Sequence, residues 1–595
     1  MRYRRKILAS LIGALLAASP ALAAAGAATS ADWARLLRDH EAAERELSPS
    51  PRNRDNGDYL DRNGEELTAA YLETRSRIYR ETSARLDGID RNALTPLDAL
   101  SHDIFRWNIA NSLDEFASGA AERDRLLPLN QFNGAQITFA RQMQWRPGTA
   151  FERPGEYDNA IRRMLGFTRW LAQAVATMRE GAAKGITQPR AVVERIIAQT
   201  EIFAKPDDGG FFMEQARHIP ESFGAAEKTR IEIAYREAVE GALVPAYRRL
   251  AAFLKDEYLP RARALPGLVS IPGGREMYLH LVKGETTTSL TPEEIHALGV
   301  AEVQRIEAEM EQVKAETKFA GTLKEFREFL RADPRFQYKD EEAMRAEFNR
   351  IKETVVGNIG AVFSRLPSGR LSFAFYEPYM APDKPAAEFA PGGQGRPGVV
   401  YLNSYDLPSR RSYTSEALQA HEGIPGHHLQ TMFASDNRSL PRFRRFGSPA
   451  AYSEGWALYA EKLGPELGLY RDPYQKFGAL TFEAWRASRL VVDTGIHWHG
   501  WERDKAIAYL VDHAFLPQAE AAEEVDRYAV LPAQALSYKI GERAILSLRE
   551  RAKTALGSRF DIRRFHDAIL KDGGMPIEIL SDKIARWIET EKSAS

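Results

Sequence analysis

His421-Glu422-Gly423-Ile424-Pro425-Gly426-His427-His428-Leu429-Gln430 gathers three of the chain's 12 histidines into eight positions, beside a glutamate. Zinc hydrolases commonly carry His-Glu-x-x-His on a helix, where i and i+4 bring two imidazoles to one face. Here i+4 is Pro425, so that simple pattern fails. On an ideal helix six residues turn about 600° and leave His427 across the axis from His421. Seven turn about 700° and restore the face, but set His428 about 10.5 Å along the axis. Two imidazole nitrogens bound at ~2.0–2.1 Å to one tetrahedral ion stand little more than ~3.5 Å apart. A metal site therefore requires the helix to be interrupted. Pro425 cannot donate to the carbonyl of His421 and its ring crowds that carbonyl, while Gly423 and Gly426 accept dihedrals that other residues resist. With two residues bulged out around Pro425, His427 takes the place of i+4; the alternative, His428, needs three looped out. Glu422 then projects beside the ion, where it can take a proton from water and later pass it to a leaving amine. Without a metal, the same stretch is a surface loop with clustered histidines.

Two histidines call for a third protein ligand. Ala451-Tyr-Ser-Glu-Gly-Trp-Ala-Leu-Tyr-Ala-Glu461 has helical character after a break at Pro449, and Glu454 lies 27 residues beyond His427. That separation is enough for a helix end, a loop and a return on an antiparallel neighbour. Glu461 is seven residues past Glu454, on the same face, and reads as a carboxylate that orients a ligand histidine. Before the motif, strand signals appear at Leu371 to Tyr376 and at Gly398 to Asn403, joined by a Pro/Gly-rich connection from Pro378 to Pro397. Tyr401 and Asn403 on the second strand are expected at an exposed edge that pairs with an extended substrate. Arg410 and Arg411 are candidates for holding a peptide carboxylate.

The rest of the chain is repeatedly helical. Asp32 to Leu47, Leu97 to Phe116, Tyr157 to Lys184 and Ala225 to Lys255 space apolar residues by three and four. Thr291-Pro292-Glu293-Glu294 opens another helix, running from Ile295 to Lys318: Thr caps, Pro takes the first position, and Glu294 completes a capping box. These signals predict a mainly α protein with a small sheet next to the metal-binding helix, divided into an N-terminal helical lobe (24–265) and a catalytic lobe (266–595). Residues 1–23 read as a signal peptide: Arg2, Arg4, Arg5 and Lys6 precede the apolar run Ile7 to Ala17, and Ala21-Leu22-Ala23 offers a cleavage site. The apolar run is shorter than the ~18–20 residues of a membrane span, which predicts an exported protein, periplasmic or secreted, with no stable span after cleavage.

Composition narrows the chemistry. Lys+Arg number 81 and Asp+Glu 82 in 595 residues, so no basic excess exists to hold nucleic acid. There are no cysteines, which removes disulfides, thiolate metal sites, a cysteine nucleophile and a lipidated cysteine together. A metal here must be held by His, Asp and Glu.

His421 to Gln430, Ser453 to Ala457, Asp493-Thr-Gly-Ile-His497 and Pro532-Ala-Gln-Ala-Leu-Ser-Tyr-Lys539 together resemble the bacterial family called domain of unknown function 885. Thr287 to Val303 also looks like that family, and the resemblance covers roughly residues 50 to 590. The family is regarded as similar to the α-helical gluzincin metallopeptidases, in which two histidines and a downstream glutamate bind zinc. Dipeptidyl-peptidase-III-like enzymes offer a parallel, with one extra residue between the histidines where this chain has two. The resemblance implies a two-lobed, metallopeptidase-like body. One Zn2+ ion would be held by His421, His427 and Glu454, with Glu422 as general base, Glu461 behind the ligands and a peptide as substrate; manganese or cobalt would also suit such a ligand set. Tyr538 is the expected donor to the developing oxyanion. Gln534, Tyr538 and Gly541 share one helix face, the glycine allowing close approach of a neighbour. His497 competes for the same role, at the end of an Arg489, Asp493, His497 series that steps by four and reads as a salt-bridge ladder or a relay. Two other readings stand beside the peptidase: a zinc hydrolase of a non-peptide amide or ester, and a peptide-binding protein without catalysis.

Overall fold

The computed structural model describes residues 20–48, 63–145, 151–205, 211–366, 369–377, 381, 384–392 and 396–593. The positive end and the whole apolar run of the expected signal peptide lie outside these residues; the expected cleavage site falls within the helix Pro20–Leu47. Among the described residues no helix is long and apolar enough to cross a membrane.

The expected helices form, with altered ends. Leu97 to Phe116 lies in Pro96–Ala117, where Thr95 accepts a hydrogen bond from the Asp98 N–H. Tyr157 to Lys184 corresponds to Pro154–Ala183, with Lys184 as the capping residue just past its end. The stretch from Ala225 is not one α-helix: Ala225–Arg236 and Val244–Ala252 run on through wider π-type turns at Glu237–Leu243 and Phe253–Tyr258. These elements enclose a core built between Leu67 and Tyr258, with Tyr157, Tyr235 and Tyr247 fully buried.

Helix α1 (Pro292–Glu316) starts as its sequence predicts. Glu294 N–H donates to Thr291 Oγ1 at 3.3 Å, and Thr291 N–H donates to the Glu294 carboxylate at 2.8 Å. Beyond it a three-stranded sheet forms from β1 (Leu371–Phe375), β2 (Ala387–Ala390) and β3 (Gly398–Leu402). The strand order is β1-β3-β2, with β3 parallel to β1 and antiparallel to β2. β3 is therefore the central strand, not an edge. Tyr401 pairs with Ala374 on one side and Glu388 on the other, and its ring stacks on Tyr376 at 5.6 Å. β2 was not legible as a strand; it lies inside the Pro/Gly-rich connection, part of which is outside the described residues.

Four further helices surround the motif: α2 (Ser415–Glu422), α3 (His427–Asp436), α4 (Ala450–Lys462) and α5 (Pro473–His497). The fifth, α6 (Ser537–Leu556), follows a short 3-10 turn at Gln534–Leu536. α4 and α6 meet backbone to backbone. A Cβ on Gly541 would lie 1.9 Å from the Ala451 carbonyl oxygen, so only glycine fits there. The core under the motif joins Ile424, Leu429, Trp456, Tyr459, Ile545 and Phe565, and takes in Leu100 and Ile104 from the N-terminal half. At ~25 cal/mol per Å² of apolar surface, such rings dominate what holds the motif in place.

Candidate metal centre

The interruption that the sequence demands is present, as a break between two helices rather than a bulge within one. α2 ends at Glu422 and α3 begins at His427. Gly423 N–H still donates to the Gln419 carbonyl at 2.9 Å, and His428 N–H reaches back to the Gly423 carbonyl at 3.2 Å. Between them the chain folds tightly over the end of α2: a Cβ on Gly426 would lie 1.9 Å from the His421 carbonyl oxygen. The indole N–H of Trp456, fully buried on α4, donates to the Pro425 carbonyl at 2.9 Å and pins the turn.

This turn carries His427 over His421. Their ring centroids are 4.9 Å apart, and one donor atom from each of His421, His427 and Glu454 lies within 4.8 Å of the others. Glu454 Oε2 stands 3.6 Å from His421 Nε2 and 3.4 Å from His427 Nε2. Two donors bonded at ~2.0–2.1 Å to one tetrahedral ion are about 3.3–3.4 Å apart, so the spacing suits a divalent cation. A second observation agrees. Glu454 Oε2 is buried and has no hydrogen-bond partner, a costly state for a carboxylate oxygen unless a cation or proton answers it. Glu461 accepts a hydrogen bond from His421 Nδ1 at 2.8 Å, which in the neutral ring leaves Nε2, on the side of Glu454, as the lone-pair donor.

The electrostatics describe the same negative focus. Burial opposes charge on His421, yet Glu454, Glu461 and Glu422 outweigh it and lift its pKa to about 10. Burial also works against the Glu454 carboxylate, but His427 and His421 hold its pKa well below the usual carboxylate range. His428 is not part of the group. Its ring is buried, Nε2 contacts the Gly369 carbonyl at 3.2 Å, and it packs edge-on against Phe389.

Glu422, within electrostatic reach of His421, accepts a hydrogen bond from the Phe389 N–H of the sheet at 3.0 Å. In an antiparallel pair the N–H and C=O of one residue point to the same side. Asn403 N–H donates to the Ala386 carbonyl on the β3 side. Ala387 and Phe389 therefore turn their main-chain groups away from β3, along an outer edge of β2 that ends at Glu422. No strand among the described residues pairs with that edge.

Several expected site residues have other partners. His497 is fully buried: Nδ1 accepts from the Leu268 N–H at 3.1 Å and Nε2 donates to the Tyr528 carbonyl at 3.0 Å. Burial pushes its pKa down to about 3. With both nitrogens occupied it holds helices together, and the expectation that it acts on substrate is corrected. Nor does the Arg489, Asp493, His497 series form a ladder. Arg489 pairs with Glu524 at 3.2 Å, and Asp493 accepts from the Tyr278 hydroxyl at 2.7 Å and from the Ala533 N–H. Asn403 is fully buried and organises its own loop, donating to the Ala381 and Lys384 carbonyls and accepting from the Tyr405 N–H; it is not a substrate contact. Arg411 donates to the Pro408 carbonyl, and Arg410 lies within electrostatic reach of Glu520. Tyr538 is partly exposed, with the Arg489 guanidinium 4.5 Å from its ring centre.

Three features escape a linear reading. The Phe389 N–H is a backbone group on an unrecognised strand, and the Trp456 clamp depends on a fold-back between helices. Arg486 is the third: a buried guanidinium on α5, within electrostatic reach of Glu461, Tyr538 and Glu454. The signal available was an arginine among Ala484, Trp485, Ala487 and Ser488, on a helix otherwise too apolar to face water.

Two solved structures share this architecture. A candidate lipoprotein from Colwellia psychrerythraea superposes with a TM-score of 0.80 at 26% identity, covering 94% of this chain and 100% of that one. A candidate lipoprotein of unknown function from Shewanella oneidensis has the same fold, with a TM-score of 0.68 at 18% identity over 93% of this chain and 99% of that one. No curated protein matches the chain. The family described as bacterial protein of unknown function, DUF885, matches residues 53–584, and the chain belongs to it.

Proposed function

We propose that this protein is an exported zinc-dependent peptidase that hydrolyses peptide bonds, chiefly in oligopeptides. The observation that carries the reading is the convergence of His421 Nε2, His427 Nε2 and the buried, unpartnered Glu454 Oε2, with Glu461 fixing the His421 ring and Glu422 alongside. His421, His427 and Glu454 are the residues that would hold the ion, the arrangement that α-helical gluzincin peptidases use. A divalent cation bound there supplies a Lewis acid for the scissile carbonyl. Glu422 takes a proton from the attacking water as the new C–O bond forms, and returns it to the nitrogen as the C–N bond breaks. The products are a carboxylic acid and an amine, with Glu422 restored as carboxylate. Tyr538 offers its hydroxyl to the oxygen on which charge develops; it and Glu454 both lie within electrostatic reach of Arg486. The outer edge of β2 presents main-chain groups to an extended peptide. In this reading residues 24–265 and 266–595 form two lobes with the substrate between them. Export rests on the leader at residues 1–23; unlike a cysteine-anchored lipoprotein, this sequence has no cysteine to acylate.

The test is metal analysis of the purified protein with a mixed-peptide digest read by mass spectrometry. One zinc per chain, with cleavage lost on chelation and regained with zinc, is the expected result. A chain that binds no divalent metal, or a loaded protein that cleaves no peptide, overturns the reading.

A further inference from the structure

Arg486 is 7% exposed, and among the described residues it has no ion-pair partner. Its Nε is buried without a hydrogen bond, and its one hydrogen bond runs from Nη1 to the Phe482 carbonyl at 3.5 Å, the limit of contact. The guanidinium instead lies on the faces of Phe482 and Trp485, 4.7 and 4.8 Å from their ring centres. One helical turn on, Arg489 is 3% exposed and sits over Trp485 and Tyr538. Arg527 completes the group, donating to the Gln534 side chain at 2.9 Å. Among the described residues only one carboxylate, Glu524, is within ion-pairing distance of this trio, and it serves Arg489 at 3.2 Å and Arg527 at 3.4 Å together. Glu483, the acidic residue one turn before Arg486, is occupied by Lys462, Arg305 and Lys539.

A buried cation without a counter-ion costs several kcal/mol, and arginine's planar fork matches a carboxylate in two parallel hydrogen bonds. We propose that Arg486, flanked by Tyr538, is the seat for the free C-terminal carboxylate of a peptide, so that the proposed peptidase removes residues from the carboxyl end. The inference rests on the peptidase reading and adds the substrate class and the direction of cleavage. Glu461 and Glu454 lie within electrostatic reach of Arg486, but among the described residues neither forms an ion pair with it. A bound carboxylate would supply the missing charge and bring the last peptide bonds toward His421, His427 and Glu454.

The test uses two hexapeptides of one sequence, one ending in a free carboxylate and the other in a carboxamide. Zinc-loaded full-length protein should shorten the acid from its C-terminus, and the amide should fall by about 10- to 100-fold in kcat/KM, the loss expected for hydrogen bonds to a charged group. Titration calorimetry on zinc-free protein should show the acid binding at least about tenfold more tightly than the amide. Arg486→Gln should bring both ratios toward one, while Arg486→Lys keeps part of the preference. A role confined to packing would lower acid and amide equally. Equal cleavage of the two by the wild type would overturn the inference and leave the peptidase standing. Tighter binding of the acid without cleavage would uphold the carboxylate seat and overturn the peptidase. Equal binding of the two peptides would overturn the seat whether or not the variants fold.

Discussion

Each carboxylate of the centre has a different neighbour, and the neighbours separate their roles. Among the described residues Glu454 Oε2 pairs with both imidazole Nε2 atoms, whereas the Glu461 carboxylate hydrogen-bonds to His421 Nδ1. Glu454→Gln should therefore lose stoichiometric zinc, while Glu461→Gln weakens binding by about 10- to 100-fold, the range for a partner behind a ligand. Zinc titration against a competing chelator checks this, and equal affinities in the two variants would remove the distinction. Glu422 contacts the Phe389 N–H rather than the ligand set. Glu422→Gln preserves that contact through the amide oxygen, so metal content and peptide affinity should hold while turnover falls by about 10²–10⁴-fold. Loss of zinc in this variant would make Glu422 a ligand. Glu454 and Glu461 were legible because seven residues restore a helix face. His497 misled because a histidine on a helix reads alike whether its nitrogens face a cleft or two backbone groups.

At the level of elements, a four-residue turn between α2 and α3 does what a regular helix cannot. Its tightest point is Gly426, where an added methyl would overlap the His421 carbonyl oxygen. Gly426→Ala should destabilise the protein by about 1–3 kcal/mol or more and lower zinc affinity at the same time, because His427 hangs directly from the turn. Gly357, in the helix Glu341–Asn358, has open space where an alanine methyl would stand, with nothing within 4 Å. Gly357→Ala should be neutral or stabilise by about 0.4–1 kcal/mol, which controls for glycine chemistry in general. Denaturant melts with and without zinc read both; a Gly426→Ala protein as stable as Gly357→Ala would mean the turn has another route. Helix starts such as Thr291 to Glu294 were readable because caps are local. The strand β2 was not, since Ala387-Glu-Phe-Ala390 is too short for alternation to show and pairs only with residues beyond a proline-rich loop. The break at Pro425 could be inferred, but its clamp by Trp456 depends on a contact 31 residues away.

For the molecule as a whole, the metal centre couples folding, protons and zinc. An unfolded histidine has a pKa near 6.5, and that of His421 in the fold is about 10. The charged ring therefore adds stability to the zinc-free protein that is fully present below about pH 6.5 and is lost as pH rises through about 10. Zinc needs the neutral ring. Binding near pH 7.5 must then displace the proton that keeps the His421 ring charged, and the apparent affinity should climb about tenfold per pH unit between pH 7 and 9. Calorimetry in two buffers of different ionisation enthalpy should count at least about one proton released per zinc. Because the unfolded chain has no such cluster, zinc at 100 times its dissociation constant should stabilise the protein by about 2.7 kcal/mol, and at a fixed zinc concentration the gain should shrink as pH falls and affinity weakens. Two results would count against this coupling: affinity independent of pH across that window, or zinc that binds without raising the melting temperature. Either would mean that the three donors meet the ion in some other protonation state, or that the ion binds elsewhere on the chain.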